Sequence, residues 1–149
     1  MIREVPVKGF PTGMVLSHDG KLLIAATGNV VFLDTGRMMS GHGEPVLGYL
    51  DHGNDQGSVY VNVTHDDKYL FVSNENAGTI NVIDLEMARR TGFERESIVG
   101  DIPVGPAPVA LSFSPDEKLL YTTIESARVE DNWPNECRSE RQNASRTYS

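Results

Sequence analysis

Apolar and polar positions along this chain alternate in short runs rather than in helical steps, and the runs recur. Val109-Ala110-Leu111-Ser112-Phe113 alternates large with small or polar residues, as a strand packed in a sheet does. A polar turn follows, then the β-rich run Lys118-Leu119-Leu120-Tyr121-Thr122-Thr123. In the preceding stretch the turn Asn74-Glu75-Asn76-Ala77-Gly78 leads into Thr79-Ile80-Asn81-Val82-Ile83-Asp84-Leu85, and Ser97 to Val104 reads as a further strand. Asp19-Gly20 is a strong hairpin signal. Few windows favour an amphipathic helix, and Leu85 to Arg90 is expected to form one turn at most.

The runs repeat in register. Val5-Pro6-Val7-Lys8-Gly9-Phe10-Pro11 aligns without a gap to Ile102-Pro103-Val104-Gly105-Pro106-Ala107-Pro108. The same offset places Ser17-His18-Asp19-Gly20-Lys21-Leu22-Leu23 on Ser114-Pro115-Asp116-Glu117-Lys118-Leu119-Leu120. An intermediate copy, Thr64-His65-Asp66-Asp67-Lys68-Tyr69-Leu70, lies between them, so the period is about 48 residues. Val30-Val31-Phe32-Leu33-Asp34 likewise matches Ile80-Asn81-Val82-Ile83-Asp84. Four short strands per unit of that length is the pattern of a β-propeller blade. A sandwich gives no reason for such a period, and an α-solenoid requires helices.

At these residues the chain resembles the YVTN-type β-propeller repeats and, through them, the lactonase-like propellers. The motifs are Phe71-Val72-Ser73-Asn74, Thr79 to Asp84, Ile102-Pro103-Val104-Gly105 with Pro108, and Ser114 to Tyr121. The resemblance covers about residues 1 to 125. It implies an all-β fold of four-stranded antiparallel blades: a leading outer strand at 2–7, one blade at 12–53, a second at 57–104 and a partial third at 108–125. In a closed ring that leading strand would join the last blade. A ring needs about four to eight blades, so this chain alone is not expected to close one. It reads as a piece of a larger propeller, or as a unit that self-associates through exposed blade faces. Residues 126–149 are polar, lack apolar periodicity and are expected to be a disordered tail.

The resemblance also implies which loops share one face around the channel mouth. These carry His52, Asn54, Asp55, Gln56, Asn74, Glu75, Asn76 and Glu125. Their carboxylate and amide oxygens could hold a hard cation such as Ca²⁺ or Mg²⁺, although Asn, Asp and Gly are also what tight turns require. The ligand-binding expectation rests on His52, Asn54, Asp55, Asn74, Glu75, Asn76 and Glu125, with no catalytic residue and no cofactor assigned. His18 and His65 hold matching turn positions on the opposite face, and Asp34 and Asp84 end third strands, where capping is the expected role.

Charge and composition narrow the function. A net charge of −8 argues against a surface that tracks nucleic-acid phosphates. Cys137, the one cysteine, can make no intrachain disulfide. No apolar stretch reaches signal-peptide or transmembrane length, so a soluble, cytoplasmic protein is the default expectation. The sequons at Asn62 and Asn143 are expected to be chance. There is no Gly-x-Ser-x-Gly elbow and no phosphate-cradling glycine loop before a helix. The function expected is a non-catalytic binding or scaffold propeller with an unidentified protein or small-molecule partner. The alternative implied by the resemblance is a lactonase-like hydrolase that acts on a sugar lactone at the channel mouth.

Overall fold

One turn, used three times, sets the strand pairs. The structure, a computed structural model, describes residues 4–50, 52–53 and 56–126. In each copy a hydroxyl donates to the aspartate two residues on: Ser17 to Asp19, Thr64 to Asp66 and Ser114 to Asp116, all at 2.7 Å. The same carboxylates accept the backbone N–H of Lys21, Lys68 and Lys118 at 3.0, 3.1 and 3.3 Å. The hydroxyl bond first, and the lysine N–H second, hold Asp19, Asp66 and Asp116 below the ordinary carboxylate pKa. The residue before each lysine takes a left-handed conformation, with φ of 69° at Gly20, 55° at Asp67 and 53° at Glu117. Only the first is glycine.

Among the described residues these turns organise three antiparallel sheets. The first contains β1 (Gly13–Leu16), β2 (Leu22–Ala26), β3 (Val30–Asp34) and β4 (Val46–Leu50) in sequence order. The second contains β5 (Ser58–Val63), β6 (Tyr69–Asn74), β7 (Thr79–Asp84) and β8 (Ile98–Pro103), again in order. The third pairs β9 (Pro108–Phe113) with β10 (Leu120–Ile124). The fold is therefore all-β, with four-stranded antiparallel blades and no closed ring.

Side-chain alternation turns one face of each sheet toward its neighbour. Ile24, Ala26, Val30, Phe32 and Leu50 of the first sheet share a core with Val61, Val63, Leu70, Val72 and Ile83 of the second. Within it the rings of Phe32 and Phe93 stack at 4.4 Å. The second junction is thinner: Phe71 meets Phe113 edge to face at 5.2 Å, and Ser73 Oγ donates to the Val109 carbonyl at 2.6 Å. Asn62, the candidate sequon, donates its amide to the Leu111 carbonyl at 3.3 Å across that junction. On the third sheet Leu119 and Tyr121 are 57% and 56% exposed, an apolar face with no neighbour among the described residues.

Two expectations need correction. Of the leading strand expected at 2–7, residues 4–7 lie outside any strand and residues 2–3 lie outside the described residues. Strand geometry needs a hydrogen-bonding edge, and here Val5 and Val7 instead pack on the free face of the first blade, against the Ala25, Val31 and Leu33 cluster. Helix is also more extensive than expected. α1 (Thr35–Ser40) and α2 (Leu85–Thr91) follow the third strand of each blade. Asp34 and Asp84 cap them by accepting the N–H of Arg37 and Met87 at 2.9 and 2.8 Å, and Gly41 and Gly92 close them with φ of 73° and 78°. Burial of Leu85 and Ala88 holds α2 in place despite its brevity. The tail expected at 126–149 lies, except for Ser126, outside the described residues.

Candidate functional site

The sequence places its site candidates on one loop face, and the structure divides them into three environments. His52 and Asn74 face inward. They are 4% and 0% exposed and belong to a polar network between the first and second blades. Asn81 donates its amide to Asp101 Oδ1 at 3.2 Å, which leaves Asn81 Oδ1 as an acceptor. That oxygen receives Asn74 Nδ2 at 2.7 Å and faces His52 Nδ1 at 2.7 Å, so the imidazole carries its proton on Nδ1. On the other side of the ring, His52 Nε2 lies 2.7 Å from Ser58 Oγ, whose one proton is shared between that nitrogen and Asn74 Oδ1 at 3.0 Å. Buried polar groups are stable when mutually bonded in this way. The network ties the connecting loop after β4 to strands β5, β6 and β7.

Glu75 and Asn76 face clefts. A cleft of about 830 Å³ separates the second and third blades at this end, lined by Glu75, Asn76, Gly78, Pro106 and Ser126. The backbone holds this turn in place: Glu75 N–H donates to the Gly57 carbonyl at 2.8 Å, and Gly78 N–H to Asn74 at 2.9 Å. Gly78, at φ 70°, lies so close to Gly105 that an added Cβ would sit 2.8 Å from its carbonyl oxygen. A second cleft, about 590 Å³, lies beside the first blade and includes Lys8, Thr27, Asn29, Tyr49 and Asn76. Asn76 forms part of both walls.

Glu125 is exposed, its backbone N–H bonded to the Ala107 carbonyl at 2.9 Å, and its side chain lines neither cleft. Asn54 and Asp55 lie outside the described residues. Among the described residues no three His, Cys, Asp or Glu side chains are grouped to hold a metal ion. No helix among them is long and apolar enough to cross a membrane.

Sequence reasoning missed Ser58, Asn81, Lys8 and Tyr49. Asn81 did carry a signal, being an amide in an otherwise apolar strand where the first blade has Val31. Lys8 and Tyr49 carried none, because 41 residues separate them and they meet only through the fold, Lys8 N–H donating to Tyr49 Oη at 3.0 Å.

On the opposite face, Asp67 reaches back from the second blade to the first. It accepts the N–H groups of His18 and Asp19 at 2.7 and 2.8 Å, and His18 Nδ1 lies 3.0 Å away. Glu117 repeats the reach from the third blade, accepting His65 N–H at 2.7 Å. These histidines serve the junctions between blades.

Comparison with solved structures fits this architecture. The chain is similar to hydrazine synthase of Kuenenia stuttgartiensis, with a TM-score of 0.61 and 23% identity over 83% of this chain and 32% of that one. It is similar to the WD40 repeats of RRP9, with a TM-score of 0.63 and 14% identity over 79% of this chain and 33% of that one. The periplasmic gluconolactonase of Pseudomonas aeruginosa gives a TM-score of 0.59 and 23% identity over 76% and 35%. The chain thus spans about a third of the length of these structures. No family model matches the sequence, and no curated protein matches it. The class defined by fold and neighbours is the β-propeller.

Proposed function

We propose that this chain is a segment of a larger β-propeller of the YVTN-repeat type and acts as a non-catalytic binding or scaffold module. Its loops at the Glu75–Asn76 end contact a small ligand or a protein partner. The observation that supports this reading is the state of His52. In the lactonase alternative a histidine at the channel mouth would help carboxylates activate water, which requires reach to substrate. His52 is instead buried, with both ring nitrogens directed at Asn81 and Ser58. The groups left facing solvent at this end, Glu75 and Asn76, suit recognition. A cytoplasmic setting belongs to the same reading, as does occasional Ca²⁺ or Mg²⁺ occupancy through Glu75.

Further blades, from a second copy or a longer chain, would cover Leu119 and Tyr121 at the third sheet. Two measurements test the proposal. Hydrolysis of a panel of sugar lactones, with and without divalent metal, is expected to show no turnover above background; turnover abolished by Glu75→Ala would overturn the non-catalytic reading. Light scattering across a concentration series is expected to show association. A monomer at every concentration would remove the open-face argument.

A further inference from the structure

We propose that the cleft beside the first blade is a binding site for a small organic anion, which places a carboxylate on Lys8 and Tyr49 and a hydroxyl group on Asn29. The inference rests on the reading of this end of the blades as a contact face, and adds the site and the class of ligand. The cleft has a volume of about 590 Å³, within the range of small-molecule sites. Lys8 is the one charged residue of its lining, and in a chain of net charge −8 no carboxylate among the described residues pairs with it. The neighbouring cleft has the opposite sign, Glu75 being its charged residue.

Three donors are available to an anion there. The Lys8 ammonium stands 5.3 Å from the centre of the Tyr49 ring, held over its face. Tyr49 Oη accepts the Lys8 backbone N–H, which orients the phenol, and donates its own proton to no described residue. Asn29 is half-buried, and while its backbone carbonyl accepts the Thr27 N–H at 2.7 Å, its side-chain amide bonds to no described residue. A half-buried amide left open is a hydrogen-bonding group without its partner.

The backbone fixes these groups rather than leaving them on a mobile tip. At Gly9, φ is 82°, and a Cβ would stand 2.1 Å from the Thr27 carbonyl oxygen, so the strand of chain that carries Lys8 is seated directly on the β2–β3 turn. Gly28 N–H donates to the Ser58 carbonyl at 3.1 Å, and Ser58 N–H returns the bond to Gly28 at 3.0 Å, which ties the same turn to the second blade. Ammonium, phenol and amide are thus presented together by three separated segments. With Lys8 the one charged residue of the lining and the phenol and amide able to donate beside it, the cleft selects an anion over a cation or a neutral apolar molecule.

The test uses galacturonate, malate and citrate as probes and galactose as the neutral counterpart, titrated into the ¹⁵N-labelled chain and followed by amide chemical shifts. Galacturonate is expected to shift Gly9, Gly28, Asn29 and Gly57 and to bind at least ~10-fold more tightly than galactose. Lys8→Met is expected to weaken galacturonate ~10-fold and leave galactose unchanged, and Tyr49→Phe, which keeps the ring in place, to weaken it several-fold. Equal affinity for galactose and galacturonate overturns the proposal. So do shifts confined to Glu75–Gly78, parent-like binding by Lys8→Met, or no binding of any of the three anions at 50 mM. Neither turnover of lactones nor the mass in solution enters this experiment, so its failure leaves the function proposed above standing, and failure of that function is read separately.

Discussion

The carboxylate of Asp67 accepts the backbone N–H of His18 at 2.7 Å, joining the turn of one blade to the turn of the blade before it. Its second oxygen takes the Asp19 N–H at 2.8 Å, so one acid from the left-handed position of its turn holds two amides of a neighbouring blade. Glu117 does the same to His65, with one amide at 2.7 Å. In the first blade, Gly20 holds the acid's position and no carboxylate projects.

That contact has a pH signature. Burial pushes the Asp67 carboxyl up, but the N–H groups of His18 and Asp19, with the His18 ring, outweigh it and leave the pKa below 3.8. A carboxyl whose folded pKa is depressed stabilises the fold above its unfolded pKa, and loses that contribution as pH falls through the folded value. Asp67→Ala is therefore expected to lower stability by about 1–2 kcal/mol at pH 7, a shift of several degrees in melting temperature. The gap between variant and parent should narrow only below pH 3.8. Melting curves by circular dichroism between pH 7 and pH 2 measure it, and a gap that closes well above pH 3.8 would show that the Asp67 carboxylate is not what holds the two turns together.

The network around His52 gives a sharper contrast between single and paired substitution. Asn81→Val writes into the second blade the residue that the first blade carries at Val31. It strips the Asn81 acceptor from His52 Nδ1 and leaves Asn74 Nδ2 only the longer bond to Thr79 Oγ1 at 3.4 Å, and a stranded buried donor costs about 1–3 kcal/mol. Asn81→Val with His52→Val removes both ends of one bond. The first blade shows that such an exchange packs, since Val5 and Val7 lie against the cluster that contains Val31. The double variant is expected to recover at least half of the loss, read as a coupling energy from urea denaturation of all four forms. Additive losses would mean that His52 packs on its own account.

The capping aspartates separate local from global stability. Each forms the same bond, so removal of either costs its helix about 1 kcal/mol. α2 buries Leu85 and Ala88 whereas α1 buries no residue. Asp84→Ala should thus lower the global melting temperature. Asp34→Ala should speed amide exchange at Arg37 and leave the melting temperature within about a degree of the parent, because frayed surface helices open below the global free energy.

These contrasts mark what was legible in the sequence. The repeat could be read because its turns are local: Ser17, Asp19 and Lys21 lie within five residues and recur with Thr64, Asp66 and Lys68. Capping at Asp34 and Asp84 was readable for the same reason, while the length of α2 was not, since it depends on tertiary burial of Leu85 and Ala88. At the site, residue type was readable and direction was not. His52 and Asn74 look like loop chemistry in one dimension, yet the partner that turns them inward, Asn81, lies 29 residues from His52. Val5-Pro6-Val7 matched a fourth strand by sequence, but a strand exists only where another offers its edge.

Close packing in the first junction gives a final prediction, at Gly48. This residue of β4 has room for no side chain: a Cβ would stand 2.8 Å from Phe93 Cδ2 and 3.3 Å from its Cβ and Cγ. Phe93 cannot easily withdraw, because its ring stacks on Phe32 at 4.4 Å and its own backbone is held at φ 68° after the Gly92 cap. Gly48→Ala is expected to cost about 1–3 kcal/mol by overpacking. Gly41→Ala is the control for backbone strain, since its Cβ would meet nothing within 4 Å although its φ is 73°. Phe93→Leu should be destabilising alone, yet milder when combined with Gly48→Ala, because the smaller side chain vacates the space the new methyl needs. Thermal melts of the four forms decide it. If Phe93→Leu and Gly48→Ala add without coupling, the ring is not what excludes a side chain at position 48.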